Sequence, residues 1–278
     1  MIKTLFIETG IEEEYENALI ASAKKTGWEA IRIMHVPFGD RFVYPSVGCV
    51  QVPLSEEDLN NKKGWYHGSI TGEVAAKKLT KWQVHAPMEE TSCSYYYKAL
   101  PDVILQKDHR FETIESINAK KDELFASDLV KDGCLFFRPN ENDKSFTGGC
   151  IYHGDWEEKY KLITFYDPPL DSVIVVAKPQ NITAEARFLI VDGKLITGSF
   201  YKTGGQSVRL KASDNLMDEA QTVLDYCLEQ NFNPAPSWVL DLAKVEDGWK
   251  LIEVGPSSCC GLYKCDTDAF MSALNEVI

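Results

Sequence analysis

The apolar positions of this chain switch repeatedly between a spacing of two and a spacing near 3.6, the marks of strands and helices in turn. Residues 3–8 are a short apolar run and read as a strand. Residues 12–25 read as a helix, with acids in the first turn, lysines in the last and Gly27 as a stop. Tyr15, Ala18, Leu19 and Ala23 fall on one face of it. Residues 28–34 are a second strand, and this β-α-β start predicts an α/β layer. Residues 36–70 are broken by Pro37, Gly39, Pro45, Gly48, Pro53, Gly64 and Gly68. Short parallel strands are expected there at 50–52 and 68–70, followed by a helix over 72–82. The α/β start closes around residues 84–95.

The next stretch reads as an apolar segment at 101–105, a helix over 112–125 and an apolar strand over 133–139 that ends in a cation. A polar loop spans 140–149. Strands follow at 173–176 and 186–191, with Asp192-Gly193 as a hairpin turn into a strand over 194–201. Residues 214–230 read as a long helix with Asp214 as its N-cap, and residues 266–277 as a final helix. Between them lies the most informative stretch. Residues 238–243 and 249–254 are apolar strands joined by the turn Glu246-Asp247-Gly248, so Asp241 and Glu253 are expected to lie near each other on one hairpin.

Two carboxylates held close repel each other unless a cation compensates. Hard oxygen ligands completed by phosphate and water are how proteins hold Mg²⁺ at a nucleotide. The hairpin therefore suggests a metal–nucleotide site. The plain alternative is that both acids face water on the wet side of an antiparallel sheet.

Composition narrows the classes. The 278 residues are 44% apolar and 26% charged, ordinary values for a globular chain of about two domains. The longest apolar runs are too short to span a bilayer. No long apolar leader is read at the N-terminus, and a cytoplasmic location is expected. A net charge of −13 argues against broad nucleic-acid binding. Eight cysteines (Cys49, Cys93, Cys134, Cys150, Cys227, Cys259, Cys260 and Cys265) are expected as reduced thiols. Cys259-Cys260-x4-Cys265 lacks a second pair at structural-zinc spacing, and nothing in the sequence gives Cys259 or Cys260 a basic partner. Trp65, Trp82 and Tyr95-Tyr96-Tyr97 read as core rather than as a pocket.

Two further segments carry candidate chemistry. Arg138, at a strand end, is followed by Lys144 in a loop of small residues (Ser145, Thr147, Gly148, Gly149) whose backbone amides suit phosphate oxygens. Residues 174–178 form an apolar strand and connector suited to presenting backbone groups to an adenine edge. Arg187 lies on the next strand; it either points into a cleft or pairs with Glu185 at period two on the surface.

The order of these segments resembles the ATP-grasp superfamily, and is most similar to a bacterial and phage branch of it of poorly defined function. The resemblance rests on Phe137-Arg138-Pro139, Lys144-Ser145-Phe146-Thr147-Gly148, Glu185-Ala186-Arg187-Phe188 and Val191-Asp192-Gly193-Lys194. It continues through Gly198-Ser199-Phe200-Tyr201, Val239-Leu240-Asp241, and Glu253-Val254-Gly255-Pro256 as far as Gly261-Leu262-Tyr263 and Asp266.

The resemblance implies a mixed α/β (α+β) ATP-grasp fold: an N-terminal α/β domain (1–95), a central subdomain (96–170) and a C-terminal subdomain (171–278), with a nucleotide cleft between the last two. It implies ATP and Mg²⁺ as cofactors. Arg138 and Lys144 would contact phosphates, the backbone near Val176, Ala177 and Lys178 would bind adenine, and Asp241 and Glu253 would hold Mg²⁺. Arg187 and Lys202 would serve phosphate or acceptor. The implied reaction joins a small-molecule or peptide carboxylate to an amine or thiol through an acylphosphate. One position departs: the family usually has Asn where this chain has Gly255. That substitution leaves open a catalytically weak relative that binds nucleotide or acts as a scaffold; a third reading is a kinase-like transfer to a carboxylate or hydroxyl that stops at the phosphate.

Overall fold

The parallel pairing of the N-terminal strands sets one half of the architecture, and a four-stranded antiparallel sheet sets the other. The computed structural model describes residues 2–10, 12–37, 41–45, 51–86 and 89–278. The chain divides into two compact units. One contains Met1–Pro87, Glu185–Asp241 and Gly255–Ile278, the other Met88–Ala184 and Leu242–Val254.

The N-terminal stretch contains β1 (Thr4–Glu8), α1 (Glu13–Lys25), β2 (Glu29–Val36), β3 (Arg41–Tyr44), β4 (Val52–Pro53), α2 (Glu56–Leu59), β5 (Gly64–His67) and α3 (Ile70–Leu79). Its sheet runs β4-β3-β2-β1-β5. β1 is parallel to β2, with Leu5 opposite Ala30, and to β5, with Leu5 opposite Trp65. Period-two alternation splits β1 between two cores. Leu5 and Ile7 pack with Tyr15, Leu19, Trp65 and Phe270, while Phe6 packs with Ile33, Phe42, Tyr66 and Trp82. Both tryptophans are core, as their sequence context predicts.

Two expectations shift here. The strand expected at 68–70 lies earlier, at Gly64–His67, because Ser69 caps α3 by accepting from the Gly72 N–H at 3.0 Å. Of the expected strand at 50–52, Val50 lies outside the described residues; Val52 opens β4, which pairs antiparallel with β3 rather than parallel.

The second unit holds α4 (Cys93–Ala99), β6 (His109–Thr113), α5 (Ile114–Ala119), α6 (Lys121–Phe125), β7 (Cys134–Pro139), β8 (Gly149–Tyr152), α7 (Trp156–Ile163) and β9 (Val173–Ala177). The sheet order is β6-β9-β7-β8, antiparallel throughout. The single helix expected over 112–125 is instead a strand end and two short helices. Glu112 and Thr113 pair with β9, and a reciprocal cap between Thr113 and Ser116 starts α5 at Ile114. Tyr96 and Tyr97 are buried while Tyr95 is exposed.

The remaining elements are β10 (Ala184–Val191), β11 (Lys194–Thr203), β12 (Gln206–Lys211), α8 (Asp214–Glu229), β13 (Ser237–Val245), β14 (Gly248–Pro256) and α9 (Thr267–Val277), with a sheet order β12-β11-β10-β13-β14. Asp192 and Gly193 turn the β10–β11 hairpin with φ of +50° and +67°, the left-handed pair that such a turn needs. The N-cap of α8 is Ser213, accepting from the Leu216 N–H, with Asp214 one residue inside. On β11, Gly198 lies against the buried ring of Phe188. A Cβ added there would meet Phe188 Cδ1 at 2.5 Å. Gly198→Ala is expected to cost about 1–3 kcal/mol by overpacking, read as a lower urea midpoint with an unchanged slope.

Candidate active-site residues

In the first unit, Arg187 on β10 meets Asp241 on β13. Arg187 Nε donates to Asp241 Oδ1 at 2.9 Å and Arg187 Nη2 to Oδ2 at 2.7 Å, a bidentate pair. The side chains are 14% and 2% exposed, so this pair is held out of water. Arg187 Nη1 also donates to the carbonyl of Gly261 at 3.2 Å. The rings of Tyr201 and Tyr263 lie 5.8 and 5.5 Å from the guanidinium carbon and stack on each other at 5.2 Å. Burial alone would pull the Arg187 pKa down; the charge and hydrogen bonds of Asp241 outweigh it and hold the guanidinium protonated, well above its ordinary value. Burial, then Asp241 and Glu185, push Tyr201 up, so its hydroxyl stays protonated.

The surface reading of Glu185 with Arg187 is overturned. Glu185 instead accepts from Lys202 Nζ on β11 at 2.8 Å, and Lys202 remains half exposed. Cys259 Sγ donates to Glu73 Oε2 at 2.8 Å. A thiol that donates to a carboxylate is held as a thiol, the opposite of what activates a cysteine.

In the second unit, Arg138 on β7 donates from Nη1 to the carbonyl of Ile252 on β14 at 2.6 Å and reaches the Tyr96 hydroxyl at 3.5 Å. Tyr96 donates to the same carbonyl at 3.1 Å. This anchors the guanidinium beside Glu253, with Nη2 3.8 Å from Oε2. Burial pulls the Arg138 pKa down, but Tyr96, Cys93 and Glu253 outweigh it and raise it well above the ordinary value. Asn142 Nδ2 donates a hydrogen bond to the Val254 carbonyl at 2.6 Å. So the polar loop after β7 is tied to the strand that carries Glu253.

β9 is an interior strand between β6 and β7, with Val176 opposite both Arg110 and Phe137. The backbone groups of Val176 and Ala177 point into those two ladders, and the Lys178 N–H donates to the Asp108 carbonyl at 3.0 Å. The connector from Lys178 onward, residues 178–183, is the part of this segment outside the sheet. Lys144 is exposed with φ +54° and lines a cavity beside Phe137, whereas Arg138 takes the opposite face of β7 by strand alternation.

The geometry thus joins Arg187 with Asp241, Arg138 with Glu253, and Lys202 with Glu185. Asp241 and Glu253 fall in different units. Sequence reasoning gave no role to Tyr96, Asn142, Tyr201 or Tyr263. Tyr201 and Tyr263 stand inside the motif strings that carry the superfamily resemblance, which was the one signal available. Among the described residues, no group of three or more His, Cys, Asp or Glu side chains is placed to hold a metal ion by itself. Asp241 and Glu253 are hard oxygen donors of the kind Mg²⁺ takes one or two at a time beside phosphates, so the donor chemistry fits that ion. No helix among the described residues is long and apolar enough to cross a membrane.

A mixed N-terminal sheet with two further sheets after it makes an ATP-grasp fold. Solved ATP-grasp structures match it end to end. D-cycloserine synthetase DcsG covers 99% of both chains, with a TM-score of 0.60 and 13% identity. VanG D-Ala:D-Ser ligase from Enterococcus faecalis covers 99% of this chain and 95% of its own, with a TM-score of 0.62 and 12% identity. The ATP-grasp ligase PsnB, complexed with minimal precursor, Mg and ADP, covers 99% of this chain and 96% of its own, with a TM-score of 0.52 and 9% identity. At these identities the likeness is one of fold. No curated protein matches the sequence. Residues 62–274 match the ATP-grasp domain of the R-2-K clade, family 3, and the chain belongs to that family.

Proposed function

We propose that this chain is an ATP-dependent ligase that joins a carboxylate to an amine or thiol through an acylphosphate. The observation that carries the reading is the Arg187–Asp241 pair, buried in a member of an ATP-grasp family. Apolar residues of similar volume are often as stabilising as a buried ion pair, so its presence favours a chemical role over a structural one.

In this reading Arg138 and Lys144 hold the phosphates, and the connector beginning at Lys178 offers backbone to the adenine edge. Asp241 and Glu253 would hold Mg²⁺, which would supply charge neutralisation at the phosphates. Arg187 has three of its five N–H groups committed to Asp241 and Gly261, and is fixed between the carboxylate and two rings. Its remaining donors suit the transferred phosphoryl oxygens and the acyl oxyanion, while Lys202 serves the acceptor side. The substrate carboxylate attacks the γ-phosphorus, ADP leaves, and the amine or thiol then displaces phosphate from the acyl carbon. No side chain needs to be a nucleophile, because phosphoryl transfer asks the protein mainly for positioning and charge neutralisation. The substrate class follows the named relatives, which include D-Ala:D-Ser and peptide-precursor ligases; a cytoplasmic site of action goes with it.

A second reading, a nucleotide-binding relative without turnover, is favoured by Gly255, which is buried near the end of β14 and brings no side-chain oxygen to a metal. Both readings require Mg²⁺-dependent binding of a non-hydrolysable ATP analogue in a calorimetric titration. The ligase reading alone requires ADP release that needs both an amino-acid or peptide carboxylate and an amine, with a mass-identified amide as product. Analogue binding without ADP release across an amino-acid and dipeptide panel would decide for the second reading. Absence of analogue binding would end both.

A further inference from the structure

The second unit contains a cavity of about 510 Å³. That volume is in the range of small-molecule pockets. Its floor is apolar: Phe137, Phe146, Ile151 and Ile163 line it, and each is at most 8% exposed. Two cations, Lys144 and Lys159, also line it, and among the described residues no aspartate or glutamate does. In a chain with 42 acidic and 29 basic side chains, such a lining is a marked local inversion of charge. Lys159 has a loose exposed contact with Glu158 at 3.8 Å, of the kind worth little.

The rim is the second observation. Phe165 and Tyr166, just beyond α7, are 71% and 76% exposed and meet edge to face at 5.0 Å. Leu162, on the last turn of α7, is 54% exposed. Three large apolar side chains in five residues, all open to water beside a formed cavity, make the kind of patch that marks a binding surface. Aromatic rims of this sort take a flat apolar body, and lysines take an anionic group.

Strand alternation sets this cavity apart from the candidate phosphate face. Phe137 turns into it, and Arg138, the next residue, turns to Ile252 and Glu253 on the other face of β7. Lys144, Thr147 and Gly149 of the 144–149 segment also line the cavity.

We propose that this cavity is a second ligand site, for a small anionic molecule with an aromatic or flat apolar body, distinct from the nucleotide site. The occupant lays its ring against Phe165 and Tyr166 and its carboxylate, sulfonate or phosphate on Lys159, the lysine that has no part in the nucleotide reading. It thereby braces the 144–149 segment from the face opposite Arg138.

The test uses the full chain and the fluorescent anion 1-anilinonaphthalene-8-sulfonate. Its uncharged relative N-phenyl-1-naphthylamine and inorganic phosphate serve as separate arms. The expected result is one equivalent of the anion bound, with the neutral relative and phosphate each at least about tenfold weaker, since one charge-assisted contact is worth that much. Lys159→Glu and Tyr166→Ala are each expected to weaken the anion about tenfold or more. Both positions are exposed or part-exposed, so thermal midpoints should stay put. Equal affinity of the parent and both variants would overturn the site. So would equal affinity for the neutral relative, or phosphate binding as tightly as the aromatic anion. One-for-one displacement by the Mg²⁺–ATP analogue would assign the cavity to the nucleotide and overturn its distinctness. If the analogue fails to bind while the anion binds with the stated variant effects, the ligase reading falls and this site stands.

Discussion

Asp241→Asn is expected to lower stability by about 3–5 kcal/mol, while Glu253→Gln lowers it by less than about 1 kcal/mol. Both are expected to weaken Mg²⁺–nucleotide binding by about tenfold or more. The two carboxylates look equivalent in the sequence and are not equivalent in the fold. Asp241 is 2% exposed and neutralises a guanidinium that is itself buried, so removing its charge leaves Arg187 uncompensated in a low-dielectric interior. Glu253 is 36% exposed and touches Arg138 only at 3.8 Å, and Arg138 keeps its bond to the Ile252 carbonyl when the charge is gone.

A third variant separates fold from chemistry. The double change Arg187→Met with Asp241→Leu removes both charges and fills the space, and it is expected to recover most of the stability lost in Asp241→Asn. Its nucleotide affinity should not recover. Urea unfolding measures the first quantity and calorimetry with Mg²⁺ and the ATP analogue measures the second. A double variant that binds Mg²⁺–nucleotide like the parent would remove Asp241 from the metal site. An Asp241→Asn protein as stable as the parent would contradict the buried pair.

How far the sequence carried this picture depended on what each element buries. β1, α1, β7, β9, β10 and the β13–β14 strands have apolar patterns that match their burial, and their positions were legible within a few residues. β12 was not, because five of its six residues are exposed and neither face leaves an apolar period. β8 buries only Ile151, and α7 is eight residues long with two buried side chains. The break at Thr113 was hidden by a continuous helical pattern over 112–125; the Thr113–Ser116 cap decides it, and that signal was present but outweighed.

The site divides the same way. Residue types and order pointed to Arg187, Asp241, Arg138 and Glu253. Who pairs with whom did not follow, because pairing between strands depends on register. Period two put Glu185 and Arg187 on one face, and each then found its own partner on a neighbouring strand, Lys202 and Asp241. The anchor of Arg138 is a backbone carbonyl, which no side chain announces.

The remaining large effect is a loss of stability between about pH 6.5 and about pH 4 carried by His67 and His85. His67 is fully buried; its Nδ1 meets the Ser257 carbonyl at 3.1 Å, and its Nε2 has no hydrogen-bond partner among the described residues. His85 is 5% exposed, its Nδ1 likewise has none, and its backbone N–H donates to Ser258 Oγ at 2.7 Å. The His67 ring and the His85 backbone therefore both contact the turn Ser257–Cys259 that follows β14. Burial lowers each from the usual 6.5 to about 4, for His67 against a smaller opposing effect of the Ser257 carbonyl.

The sign follows from proton counting. Well above pH 6.5 neither folded nor unfolded rings bind a proton, so the histidines contribute no pH dependence there. Between 6.5 and about 4 the unfolded chain takes up protons that the folded chain refuses, and stability falls as pH falls. Below about 4 both states are protonated and this contribution levels off. The full loss is about 3 kcal/mol for each ring, at about 1.36 kcal/mol per pKa unit, a large share of a typical 5–15 kcal/mol. Carboxylates held low, Glu112 against burial by the Ser116 hydroxyl and Lys120, and Asp268 by Lys25 and Ser22, begin to lose their contribution only below about pH 5, so the slope above that belongs to the histidines.

Urea midpoints at pH 7.5, 6.5, 5.5 and 4.5 measure the slope. His67→Gln is expected to start less stable at pH 7.5 and then to fall by about half as much across the window. Identical slopes for parent and variant would mean that the ring is protonated inside the fold, with an acceptor for its Nε2.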